Sequence, residues 1–267
     1  MPIALALTAA LVYGSSDFLG GLAGRRTSTI SVVVASQAMG VLVLVAVVPG
    51  VGGHALASDL AWGAACGVAG AAAIALLYRG LAIGTMGIVS PVSAVLGASI
   101  PVIYGIVLHG ERPASFAYAG IAAALAAVVC VGAAPDARRS RGLPPGLLEA
   151  VGAGVGFGVY FIVLAQMRAD AGMLPLLAAR VTSVALLLAG GLAFGGIANV
   201  RVARPALGLV LLCGTLDASA NVLYVIAAHT GLLSIVAVLT SLYPAATVAL
   251  AATVLRERLG RLQWIGV

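Results

Sequence analysis

The chain has 267 residues, of which 62% are hydrophobic and only 8% charged, with a mean hydropathy of +1.17. A soluble domain carries about 25% charged residues to cover its surface, so the composition excludes a water-soluble fold and makes the bilayer the solvent. The net charge of +6 comes from 14 Arg and no Lys against 8 acidic residues; with no basic cluster interleaved with aromatics it excludes nucleic acid as a partner and instead reports topology.

A spanning helix needs about 20 apolar residues, and polar breaks divide the chain at roughly that interval. The first predicted span runs from Ile3 to Leu22 and ends at Arg25-Arg26. It has no basic stretch before it and continues past Asp17, which reads as a retained span rather than a signal peptide. The second, Ile30 to Val48, stops at Pro49-Gly50-Val51-Gly52-Gly53, and the third follows from Leu60 to Tyr78. The fourth, Gly87 to Leu108, breaks at His109-Gly110-Glu111-Arg112-Pro113, and the fifth covers Ser115 to Val131. Pro135 to Pro145 holds Asp136, Arg138, Arg139 and Arg141 and reads as a linker. Spans six to nine are Leu147 to Gln166, Leu174 to Ala193, Ala206 to Ala227 and Leu233 to Leu255. A tenth has only begun at Leu262 to Val267, so the chain is expected to be incomplete or to end in a stub.

Tyr78, Glu111, Arg112 and Gly120 recur 146 residues later as Tyr224, Glu257, Arg258 and Gly266, and Tyr13-Gly14 is echoed by Phe157-Gly158 at an offset of 144. The chain therefore divides into residues 1–133, a linker at 134–146, and a second copy at 147–267 that is incomplete at its C-terminus. Five helices per copy make the second copy enter the membrane from the opposite side. The expected fold is an all-α membrane protein of two inverted repeats of five transmembrane helices, the tenth truncated. Eleven Arg follow the odd-numbered spans and two, Arg112 and Arg168, follow the even ones, which places the odd breaks in the cytoplasm and both ends outside.

Ser90-Pro91, Pro101, Gly110-Glu111-Arg112 and Tyr118-Ala119-Gly120 in the first copy resemble the EamA-like family of the drug/metabolite transporter superfamily. So do Tyr243-Pro244, Arg256-Glu257-Arg258-Leu259 and Gln263-Trp264-Ile265-Gly266 in the second, and Tyr13-Gly14-Ser15-Ser16-Asp17-Phe18 resembles the family's first-helix motif. The resemblance implies ten helices, alternating access, and export or uptake of small metabolites across the cell membrane. The family often carries Arg on the second helix of each half; Arg180 fits that position in the second copy, and Gln37 stands there in the first.

A charged side chain at the bilayer centre costs about 2.5–3.5 kcal/mol on insertion scales, which makes it a functional candidate. Asp17, Arg180 and Asp217 qualify, with Asn221 one turn beyond Asp217 on the same face. At matching depths, Arg180 is expected to reach the Asp217-Asn221 face, and Asp17 to meet Gln37 or be neutralised by Arg25 or Arg26. Two readings of Asp217 stay open: a purely structural ion pair with Arg180, or a cavity site that binds a cationic group or takes up a coupling proton. Pro91, Pro101 and Pro244 are expected to kink their helices, while Tyr78, Tyr160, Tyr224 and Tyr243 either line a cavity or anchor at the interface.

Glu111-Arg112 and Glu257-Arg258 are expected to be gate or loop ties, each Glu accepting hydrogen bonds from the start of the next helix and each Arg meeting headgroup phosphate. Cys66, Cys130 and Cys213 read as packing residues. No metal site, cofactor motif or phosphate loop is present, and His54, His109 and His229 fall in loops or at helix ends. The leading expectation is a secondary transporter of a small, neutral or zwitterionic metabolite, monomeric or dimeric, driven by a proton or ion gradient. An integral-membrane enzyme acting on lipid and a non-transporting membrane subunit are the alternatives.

Overall fold

The protein is described by a computed structural model over residues 1–108, 110–112, 118–119, 122–123, 126 and 144–256, less the side chains of 169 and 194–199. Most of the predicted fifth helix, the tenth, most of the linker, His109, Cys130 and the Glu257-Arg258 pair lie outside these residues. Among those described there are helices and no strands, with eight segments long and apolar enough to cross a membrane.

The helices are α1 (Pro2–Gly24), α2 (Thr29–Val51), α3 (Ala57–Ile83), α4 (Met86–Ile103), α5 (Leu147–Ala165), α6 (Leu174–Val200), α7 (Leu207–Thr230), α8 (Leu233–Thr240) and α9 (Tyr243–Val254). Local chemistry sets several of their ends. Pro2 occupies the first turn of α1, where a missing N–H costs nothing. Gly52 closes α2 at φ 70, which suits a residue without Cβ. At the start of α3 the Asp59 carboxylate accepts the Leu56 N–H at 2.8 Å and meets the helix dipole with negative charge.

The predicted ninth span is broken. Ser241 and Leu242 separate α8 from α9, and Pro244 sits in the first turn of α9. It therefore starts a new helix instead of kinking a continuous one. Pro91 and Pro101 lie inside α4, which passes directly into a π turn at Tyr104–Leu108. Such turns leave backbone groups less regularly paired.

The packing is reciprocal between the halves: α1 lies on α7 as α5 lies on α3, α3 on α6 as α7 on α2, and α4 on α5 as α9 on α1, while α2 meets α6 directly. The interhelical loops tie together in two groups. His54 N donates to Asp170 O at 2.8 Å and a His229 ring nitrogen meets Met167 O at 2.7 Å, joining the breaks after even-numbered spans. Ala203 N donates to Thr27 Oγ1 at 3.4 Å and Arg79 pairs with Glu149 at 3.3 Å, joining the breaks after odd ones.

Glycine sets the approach of α3 to α6 and α5. A Cβ on Gly63 or Gly67 would stand 2.3 Å from the carbonyl oxygen of Pro175 or Ala179, and one on Gly70 would stand 2.9 Å from the Tyr160 ring. Spaced at 63, 67 and 70, these residues share one helix face. Lipid supplies no hydrophobic force between helices, so this close backbone contact is a main source of association.

Glu111 ties the two halves together. Its carboxylate accepts the N–H groups of Leu233 at 2.8 Å and Ser234 at 3.0 Å, which open α8 in the other half. Its own N–H donates to Gly105 O at 2.8 Å within the π turn, which aims the side chain at that helix start. Two orphan donors are thereby satisfied by an anion at the positive end of a helix. Arg112 is exposed. Glu111→Ala is expected to cost about 1–2 kcal/mol, the worth of a helix cap. Thermal unfolding in detergent reads this loss, and Glu111→Gln should lose less because its amide oxygen still accepts one of the bonds.

Candidate functional site

The polar residues singled out by sequence converge from separate helices on one central cluster. Arg180 extends from α6 and is only 4% exposed, deep enough that its charge must be matched within the protein. Its Nη2 meets Asp217 Oδ2 on α7 at 2.5 Å, and its Nη1 donates to Gln37 Oε1 on α2. The planar fork of Arg suits two acceptors at once. One turn along α7, Asn221 donates to the Asp217 backbone carbonyl at 2.8 Å and accepts the Tyr160 hydroxyl of α5 at 2.6 Å. The expected approach of Arg180 to the Asp217-Asn221 face is therefore present, as an ion pair to Asp217 alone.

The expected pairing of Asp17 with Gln37 is not formed among the described residues; the Gln37 side-chain oxygen accepts from Arg180 instead. Among the described residues Asp17 has neither a hydrogen-bond nor an ion-pair partner, although it is only 5% exposed. The buried Tyr13 hydroxyl and Arg180 Nε also lack hydrogen-bond partners.

The tyrosines are interior and none of the four anchors at the interface. Tyr78 and Tyr224 are fully buried, and Tyr160 and Tyr243 nearly so. Tyr78 OH bonds Cys213 Sγ at 3.0 Å, Tyr224 OH donates to Phe161 O at 3.4 Å, and Tyr243 OH bonds Ser93 Oγ at 2.9 Å. Each hydroxyl finds a partner deep in the bundle, and the ring supplies the apolar body that interior packing needs. Cys66 and Cys213 are free and buried, and Ser16 Oγ donates to the Cys213 backbone carbonyl at 2.9 Å.

Three small cavities meet at the centre. One of about 30 Å³ is bordered by Gln37, Arg180, Asp217, Asn221, Tyr13 and Tyr160. A second of about 20 Å³ is bordered by Asp17, Asp217, Tyr13 and Tyr243, and a third of about 10 Å³ by Ser93, Thr240 and Tyr243. Phe157 and Phe161 of α5 border all three. Phe161 is the hub, with its ring centre 4.6 Å from that of Tyr224, 5.5 Å from Tyr160 and 6.1 Å from both Tyr13 and Phe157. Volumes of this size hold one or two waters.

Sequence reasoning did not single out Phe161. A signal existed: the offset of 144 that aligns Tyr13 with Phe157 also aligns Asp17 with Phe161. Pro91 and Pro101 are buried in α4 but border none of these cavities.

Residues 144–267 match the model of the EamA-like transporter family. No curated protein matches the chain. A solved crystal structure, described in its title only as that of a protein, superposes with a TM-score of 0.73 at 18% identity, over 99% of this chain and 92% of its own. At that identity the likeness shows the fold alone.

Proposed function

We propose that this chain is a secondary transporter of small organic metabolites working by alternating access, since its residues 144–267 belong to the EamA-like transporter family of the drug/metabolite transporter superfamily. The observation that carries the reading is the polar cluster of Gln37, Arg180, Asp217, Asn221 and Tyr160. It is held at mid-depth by helices of both halves and borders a cavity. A lone structural ion pair explains neither that cavity nor the unpaired Tyr13 hydroxyl beside it.

The reciprocal packing of the described helices supports ten helices in two inverted five-helix repeats, at 1–133 and 147–267, with the breaks after odd-numbered spans in the cytoplasm. The cavities are too small for a metabolite, whose sites span about 300 Å³ or more. A metabolite would need more room than the described conformation gives, and Phe157 and Phe161, which border all three cavities, would have to move to provide it. Among the described residues the one cation at the centre, Arg180, is held by Asp217 and Gln37, which favours neutral or zwitterionic solutes over polyanions.

Proteoliposomes loaded with a mixed metabolite pool test this reading. At least one solute is expected to cross faster than in empty vesicles, and a protonophore to abolish its accumulation if a proton drives it. Transport of no solute would overturn the carrier. Tyr160→Phe, which removes only the hydroxyl bonded to Asn221, is expected to raise the KM for that solute by about three- to tenfold, the worth of one hydrogen bond. An unchanged KM would remove Tyr160 from the site.

A further inference from the structure

We propose that the cavity around Asp17 is a recognition site for the protonated amine of a small organic solute, an inference that rests on the transporter reading above and names the substrate class it takes. The cavity's charge is unbalanced. Asp17 and Asp217 both border it, yet among the described residues the cluster holds only one cation, Arg180, and that is spent on Asp217. A buried carboxylate without a partner is costly in an apolar interior, and one added positive charge completes the set.

The walls favour an ammonium group over a bare proton. The rings of Tyr13, Phe157, Phe161 and Tyr243 surround the same space. Aromatic faces attract a cation through their quadrupole, most strongly where water is excluded. The Tyr13 hydroxyl, buried and without a partner, adds an acceptor for an N–H. A volume of about 20 Å³ admits a head no larger than a water molecule, which matches a primary ammonium. The solute's remaining atoms then extend past Phe161 toward Asn221 and Arg180, where the neighbouring cavity begins.

The carboxylate without a partner comes from the first half. The offset of 144 aligns Asp17 with Phe161, so the acid comes from α1 and a ring of the cage from α5. Closure of the two halves on each other brings carboxylate and rings together around the amine. Opening on either side separates them.

Calorimetric titration of the purified full chain with benzylammonium, and with benzyl alcohol as its neutral counterpart, tests the proposal. Wild type is expected to bind the amine saturably and the alcohol at least about tenfold more weakly. Asp17→Asn should weaken amine binding by a similar factor, and Asp17→Glu should retain it. Equal binding of amine and alcohol, no saturable amine binding, or an Asp17→Asn affinity equal to wild type would each overturn the proposal. The amine and alcohol comparison needs no variant, so it decides the matter even if Asp17→Asn fails to fold. Transport of other solutes without amine binding would sink this inference and leave the carrier standing; amine binding without any transport would do the reverse.

Discussion

Arg180→Met is expected to destabilise the protein by about 3–5 kcal/mol, the cost of leaving one member of a buried ion pair uncompensated. Asp217 would lose the guanidinium 2.5 Å away, and Gln37 its donor. Asp17, bordering the same cavity as Asp217, would then add a second unmatched carboxylate. Thermal or denaturant unfolding in detergent measures the loss. The double variant Arg180→Met with Asp217→Leu is expected to recover most of the stability, since apolar residues of similar volume often replace a buried pair at little cost. It should nonetheless abolish transport. That split between stability and transport separates a functional pair from a merely structural one. If the double variant transported like wild type, the pair would be no more than a strut between α6 and α7.

Gly67→Val is expected to cost about 3 kcal/mol, the upper end of overpacking penalties. Its Cβ would lie 2.3 Å from the Ala179 carbonyl oxygen and 2.9 Å from Thr182 Cβ, and backbone does not yield as a flexible side chain does. α3 must then move off α6, which also loosens the bond from Ser183 Oγ to Gly67 O at 2.7 Å. Arg180 follows Ala179 directly, so displacement there misplaces the ion pair and should lower transport along with stability. Gly190→Ala on the same α6 is the control: nothing lies within 4 Å of its Cβ, and no loss is expected. If Gly67→Val unfolded like wild type, backbone contact would not be what joins these helices.

The spans were largely legible in the sequence, and the structure lengthens α3 and α6 beyond their predicted ends while breaking the ninth span at Ser241-Leu242. Hydropathy marks where the chain is apolar, but a helix continues into the interface for as long as its backbone bonds are met. The break is invisible to hydropathy because both sides of it are equally apolar, though Pro244 marked the place. Asp17, Arg180 and Asp217 were legible as candidates because a charge within a span is rare whatever it contacts. Phe161 was not, since one more ring in an apolar run carries no such signal. Glu111 was legible as a tie, but its target was not: the helix start it serves lies 122 residues away.

Composition and hydropathy by themselves determined that the chain crosses the membrane many times and which segments do so, because the free energy of transfer into lipid adds up residue by residue along one stretch. The motif recurring after 146 residues marked two stretches of the chain as alike. Only the tertiary structure decided that Gln37 serves Arg180, 143 residues away, and leaves Asp17 alone. Depth along a helix follows from residue number, but the direction a side chain faces depends on the rotation and tilt of the helix, which packing against its neighbours sets.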